Sequence, residues 1–188
     1  MQRVVDYFEK PGPQNTPRCI EIAARAVADG WKHVIVATTT GETGAAVAEA
    51  LAGTGADVVA VTHSAGFRAP GELELTPANR DRMLSAGARI YTGTILTHSL
   101  ETALAAQFQG IYPTTLIALS LRRLGQGIKV VCEIVMEACD AALVSEGQEV
   151  LAIAGTGRGA DTVAILRSAA SKRFLELRVL EILAKPRE

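Results

Sequence analysis

An α/β fold is what this sequence predicts, with a mostly parallel sheet layered between helices, and three observations carry that expectation. Short apolar runs rich in β-branched residues, Val34-Ile35-Val36 and Val58-Val59-Ala60-Val61 among them, alternate with longer stretches whose apolar residues recur at helical spacing. Strands of that kind, unbroken by charge, suit a sheet covered on both faces. The first and fourth such runs end in turns rich in glycine and hydroxyls, over 38–44 and 155–161. That is where open α/β sheets bind ligands, provided a reversal of strand order sets the two strands side by side. The elements sum to a three-layer α/β/α sandwich within a single domain over 1–188, a length that can bury a sizeable core.

Taken in order, Pro11-Gly12-Pro13 marks a loop, and Asn15-Thr16-Pro17 places a cap before a helix that runs to about Asp29. Ile20, Ala23, Ala24 and Val27 form its buried stripe, and Gly30 ends it. Trp31-Lys32-His33 leads into the first strand, with His33 as a polar entry residue. After the turn, Ala45, Ala46, Val47, Ala48, Ala50 and Leu51 read as a buried helix stopped by Gly53 and Gly55. The second strand ends at Thr62-His63-Ser64, and 65–75 is a long loop with Gly66, Phe67, Arg68, Pro70 and Gly71, a lid over whatever lies beneath. Thr76-Pro77 opens a helix to Gly87, a third strand spans 88–91, and the turn after it repeats the triplet as Thr97-His98-Ser99. The repeat predicts that His63 and His98 border one cleft.

Residues 99–145 read as a helical insertion of three helices, broken near 110–113 and 125–127, which supplies an extra layer or an oligomer surface. A fourth strand spans 149–154, and the turn after it is expected to start a helix over 162–170 capped by Asp161. In the tail, 174–183, Leu175, Leu177 and Val179 alternate with charges, as in a half-exposed edge strand.

Both turns read as anion sites. In the first, Thr38, Thr39, Thr40, Gly41, Glu42, Thr43 and Gly44 join a strand to a helix whose first free N–H groups and dipole favour a phosphate. In the second, Thr156, Gly157, Arg158 and Gly159 add a guanidinium able to pair with phosphate. Neither matches a P-loop or the G-x-G-x-x-G dinucleotide fingerprint. His63, Ser64, Phe67 and His98 complete the candidate ligand set.

The formal charge of −1 and the scattered 19 Lys and Arg offer no nucleic-acid surface, and no run is long enough to span a bilayer. The absence of an apolar leader near Arg3, Asp6, Glu9 and Lys10 leads to a cytoplasmic expectation. Cys19, Cys132 and Cys139 are odd in number and lie in apolar contexts, so neither disulfides nor metal ligation is expected.

Ile22 to Val27, the strand at 34–37, the turn at 38–43, the helix after it and Val58-Val59-Ala60-Val61-Thr62 resemble the C-terminal α/β domain of pyruvate kinase. The resemblance is closest to stand-alone proteins made of that domain alone. It implies a five-stranded sheet of order 3-2-1-4-5 with the last strand antiparallel, and a turn that binds the phosphate of a sugar bisphosphate effector. The family turn reads Thr-x-Ser-Gly-Arg-Ser/Thr; Thr38, Thr40, Gly41 and Thr43 fit it, while Glu42 replaces the Arg. The catalytic (β/α)₈ barrel is missing, so pyruvate kinase activity is not expected.

The expected function is therefore non-catalytic or regulatory binding of a phosphorylated small molecule: a nucleotide, flavin mononucleotide (FMN) or a sugar phosphate. The alternatives are an enzyme acting on such a substrate with His63 or His98 as acid or base, and an oligomerisation module that associates through 99–145.

Overall fold

In the computed structural model, which describes residues 4–187, one mixed sheet of seven strands runs through the molecule. The chain enters through β1 (Asp6–Phe8), a 3₁₀ turn at Pro13–Asn15 and α1 (Thr16–Ala28). It continues through β2 (His33–Ala37), α2 (Glu42–Leu51), β3 (Asp57–His63), α3 (Pro77–Ser85) and β4 (Arg89–Gly93). Three helices follow, α4 (Leu100–Phe108), α5 (Pro113–Arg122) and α6 (Gln126–Asp140). The chain closes with β5 (Glu149–Ala154), β6 (Thr162–Arg167), a 3₁₀ segment at Ser171–Glu176 and β7 (Arg178–Pro186).

The sheet order is β1-β7-β6-β5-β2-β3-β4, with β6 antiparallel to both its neighbours and every other pairing parallel. Alternate residues of each central strand face opposite layers. Val34, Val36, Ala60, Leu151 and Ile153 pack with α1, α2 and Met83 of α3, whereas Ile35, Val59, Val61, Ala152 and Ala154 pack with α6. Because β3 and β4 lie to one side of β2 and β5 to the other, the strand order reverses between β2 and β5. The reversal falls where the sequence predicted it, at the kind of switch point beside which open α/β sheets bind ligands.

Five expectations need correction. The sheet has seven strands, not five. Residues 162–170 do not form a helix: Thr162–Arg167 is a strand bonded to β5 along its whole length. Val163 and Ile165 face one layer, Ala164 and Leu166 the other, so these residues satisfy both faces as a strand and would bury only one as a helix. The turn at 155–161 is therefore a strand-to-strand loop, without the helix N-terminus that made it an anion site. The tail strand begins at Arg178, after the 3₁₀ segment, and lies inside the sheet between β6 and β1 rather than at an edge or antiparallel beside the fourth strand. Finally, β1, absent from the sequence reading, occupies that edge beside β7, far from it in sequence.

The remaining elements follow local chemistry. Thr76 caps α3, its hydroxyl accepting from Asn79 N at 3.3 Å, with Pro77 at the first helical position. The region 99–145 contains three helices, of which α6 is covered almost all round and serves as the crossover helix into β5.

Candidate functional site

At the carboxyl end of β2 the chain turns through Thr38, Thr39 and Thr40 into α2. Gly41, the N-cap, has φ 91°, and no side chain caps the first turn. A Cβ there would lie 2.6 Å from both Leu75 and Asn79, so glycine is needed for conformation and for space. Asn79 Nδ2 and Thr76 N donate to the Thr40 carbonyl at 3.0 and 3.2 Å, fixing the turn against α3. Thr38, Thr43 and Gly44 are buried behind it, and Thr40 and Glu42 are exposed. The result is a rigid turn whose leading N–H groups carry no side-chain cap.

His63 ends β3 next to this turn. Its Nδ1 lies 2.8 Å from Glu74 Oε2, and its Nε2 is 3.5 Å from Thr39 Oγ1. A carboxylate only accepts, so Nδ1 donates, and in the tautomer this selects the lone pair is on Nε2. Phe67, from the segment predicted as a lid, places its ring 4.4 Å from that of His63 and 6.4 Å from that of His98. The two histidines thus border the same aromatic residue. Ser64 contributes its carbonyl, which accepts from Phe67 N at 3.3 Å.

His98 is held in a similar manner, through its Nδ1. Thr97 Oγ1 donates to Glu133 Oε1 at 2.7 Å and has one proton to give, so it accepts from His98 Nδ1 at 2.9 Å. Nε2 is again left bare on the neutral ring. Burial, reinforced by the charge of Lys129, holds His98 below the ordinary imidazole range and keeps it neutral near pH 7. Glu133 also accepts from Thr97 N at 2.9 Å and pairs with Lys129, and both side chains are almost wholly buried. Glu137, one helical turn further on, has its pKa pushed up to about 8, first by burial and then by Glu133; one of its oxygens has no partner.

The second turn is built differently. Asp161, fully buried, accepts from Thr156 N and Gly12 N, each at 3.0 Å, and from Thr162 Oγ1 at 2.9 Å. It caps its own loop and the amino-terminal segment, and not the helix expected from the sequence. Ala160 N donates to Thr16 Oγ1 at 2.8 Å, and a Cβ at Gly159 would lie 2.5 Å from Pro13 Cα. Thr156 has thus spent its N–H, Gly157 and Arg158 are exposed, and Gly159 packs on the chain start.

Glu74, Lys129, Glu133 and Glu137 were not among the sequence candidates. The i, i+4, i+8 spacing of the last three along an otherwise apolar helix was the available signal. An open groove of about 410 Å³ lies alongside, lined by Leu73, Leu75, Pro77, Arg80, Asp81, Ile90 and Thr92. It includes none of the imidazoles or turn hydroxyls, and its lining has few groups with chemistry to offer. Among the described residues no helix is long and apolar enough to cross a membrane, and no group of His, Cys, Asp and Glu is arranged to hold a metal ion.

Residues 19–166 match the family model described as the pyruvate kinase, alpha/beta domain. Among solved structures the chain is similar to a pyruvate kinase from Cryptosporidium parvum, with 19% identity and a TM-score of 0.40, over 80% of this chain and 23% of that one. It is also similar to an O-ureido-L-serine synthase, at 16% identity and a TM-score of 0.33, over 75% of this chain and 51% of that one. A diaminopropionate ammonia lyase from Escherichia coli shares 14% identity at a TM-score of 0.32, over 68% of this chain and 39% of that one. The chain thus spans less than two thirds of each of these proteins.

Proposed function

We propose that this chain, which belongs to the pyruvate kinase alpha/beta domain family, binds a phosphorylated small molecule at the crevice beside β2. The observation that carries the reading is the convergence of two features there. The N-terminus of α2 has no side-chain cap, and His63, which meets Thr39 of the turn before it, packs on the Phe67 ring, which also meets His98. A phosphate accepts from the leading N–H groups of α2, and a ring or sugar lies along Phe67.

A ligand with one phosphate fits better than a bisphosphate. Glu42 adds a negative charge in the first turn of α2, and Asp161 already uses the Thr156 N–H of the second turn. A mononucleotide or FMN therefore ranks ahead of a sugar bisphosphate. The chain corresponds to 23% of the pyruvate kinase it resembles, and pyruvate phosphorylation is not part of this reading. Absorbance and mass spectra of small molecules released on denaturation test it first, followed by titration with FMN and inorganic phosphate. Failure of both compounds to bind would end the reading.

A second reading, acid–base chemistry on the phosphorylated ligand, is favoured by the anchored Nδ1 atoms, which leave the lone pair of Nε2 on both His63 and His98 able to accept a proton. Turnover unchanged in a His63→Ala, His98→Ala double variant would remove it. Self-association through the α4–α5 region is favoured by exposed Leu100, Phe108 and Ile111, and light scattering tests that separately.

A further inference from the structure

Thr39, His63 and Glu74 come from three places in the chain: the β2–α2 turn, the end of β3 and the segment before α3. They meet in the order hydroxyl, imidazole, carboxylate. Glu74 Oε2 receives the Nδ1 proton of His63 at 2.8 Å, and Nε2, across the ring, lies 3.5 Å from Thr39 Oγ1. That last distance is long for a hydrogen bond, as is common for a nucleophile and its base before substrate arrives. Glu74 is 15% exposed and His63 33%, so the base is oriented from behind and reachable from the front.

The position of Thr39 strengthens the argument. It lies in a tight strand-to-helix turn, the setting in which a nucleophilic hydroxyl is lifted clear of a sheet beside backbone N–H groups able to hold an oxyanion. The start of α2 has such N–H groups without a side-chain cap. The cysteines do not compete as nucleophiles, since burial pushes the thiols of Cys19 and Cys132 up to about 12 and that of Cys139 to about 11. Lys129 is almost wholly buried and paired with Glu133.

We propose that Thr39, His63 and Glu74 form a triad that accepts an acyl group from a small carboxylic ester. Thr39 Oγ1 bonds to the carbonyl carbon while its proton passes to His63 Nε2, and the carbonyl π electrons move onto oxygen beside the first N–H groups of α2. Collapse breaks the bond to the leaving alkoxide, which takes the proton from His63. Water then attacks acyl-Thr39 with His63 accepting and returning the proton, which releases a carboxylic acid and restores the hydroxyl. Glu74 is a positioning residue: it fixes the tautomer and touches no substrate. Phe67, 4.4 Å from the imidazole, gives the acyl or leaving group an apolar wall. The proposal rests on the crevice of the phosphate-binding reading but needs no phosphate, which at α2 would take the place of the oxyanion and compete.

Rapid mixing of the whole chain with p-nitrophenyl acetate, followed by peptide mass mapping, tests it. The expected result is a nitrophenolate burst stoichiometric with protein and an acetyl group on Thr39. Thr39→Val should remove the burst while melting like the parent, and Thr39→Ser should restore it to within about tenfold. Glu74→Gln should slow acylation by roughly 10²-fold or more at little-changed KM, with partial rescue by Glu74→Asp. Absence of a burst, a burst that survives in Thr39→Val, or acetyl found on another residue would overturn the triad. Inorganic phosphate in the same assay separates the two ideas. Competition by phosphate supports both, a burst indifferent to phosphate overturns only the phosphate reading, and phosphate binding without a burst overturns only the triad.

Discussion

The glycine-rich turns that follow β2 and β5 sit on neighbouring strands and share a composition, yet their backbones are committed in opposite ways. After β2 the chain enters a helix, and the leading N–H groups of α2 have no side-chain cap. After β5 it doubles back into β6, and the buried Asp161 consumes the Thr156 N–H together with that of Gly12. Glycine and threonine thus make a turn possible without saying whether it will face a ligand. The element that follows, and the presence of an internal acceptor, decide that.

The sharpest way to break this contrast is Asp161→Ala. Two backbone donors and the Thr162 hydroxyl would lose their acceptor, and we expect a loss of roughly 4 kcal/mol in urea unfolding. Phosphate affinity, measured where the variant is folded, should be unchanged. Weaker phosphate binding at undiminished stability would move the ligand to the second turn.

Asp161 also contrasts with Glu137 on α6, whose buried carboxylate keeps one oxygen without a partner. Burial raises the Glu137 pKa from the usual 4.5 to about 8. The folded chain therefore binds a proton that the unfolded chain has lost across this interval. Its contribution is fully present below pH about 4.5 and is lost as pH rises to about 8. The loss should be on the order of 5 kcal/mol across that window, and Glu137→Gln should flatten it in denaturant unfolding followed against pH.

Gly41→Ala tests the open turn itself. Positive φ and the contacts with Leu75 and Asn79 should cost about 2 kcal/mol, and displacement of the α2 N–H groups should weaken phosphate binding by about tenfold. Gly157→Ala sharpens the comparison from the other side. With φ 78° but nothing within 4 Å of an added Cβ, it should cost about 1 kcal/mol and leave every ligand titration unaltered. A ligand effect at Gly157 equal to that at Gly41 would erase the distinction between the turns.

How far the sequence could be read follows the range of the interactions. Val34 to Val36, the hydroxyl turn, Thr76-Pro77 and the three helices after Ser99 depend on neighbours a few residues away, and all were legible. Thr162 to Leu166 was not. A glycine-rich turn precedes a helix or a strand equally well, and a short, mostly apolar run fits either until β5 and β7 supply hydrogen-bonding partners. β1 is only three residues long and owes its place to β7, at the opposite end of the chain. In the site, Thr39, His63, Phe67 and His98 stood out as unusual residues at strand exits. Glu74 did not, because a glutamate in a loop reads as solvated until His63 is seen beside it.

By itself the sequence determined the layered α/β class, the central parallel strands and the strand-to-helix turn at Thr38 to Gly44. Periodicity, β-branching and glycine act through local sterics, and those do not wait for the rest of the chain. Only the tertiary structure decided that the second turn closes on Asp161, that Glu74 stands behind His63, and that Lys129, Glu133 and Glu137 share a buried helix face. Each of these depends on hydrogen bonds or desolvation between residues distant in sequence, whose energies exist only once the fold has brought them together.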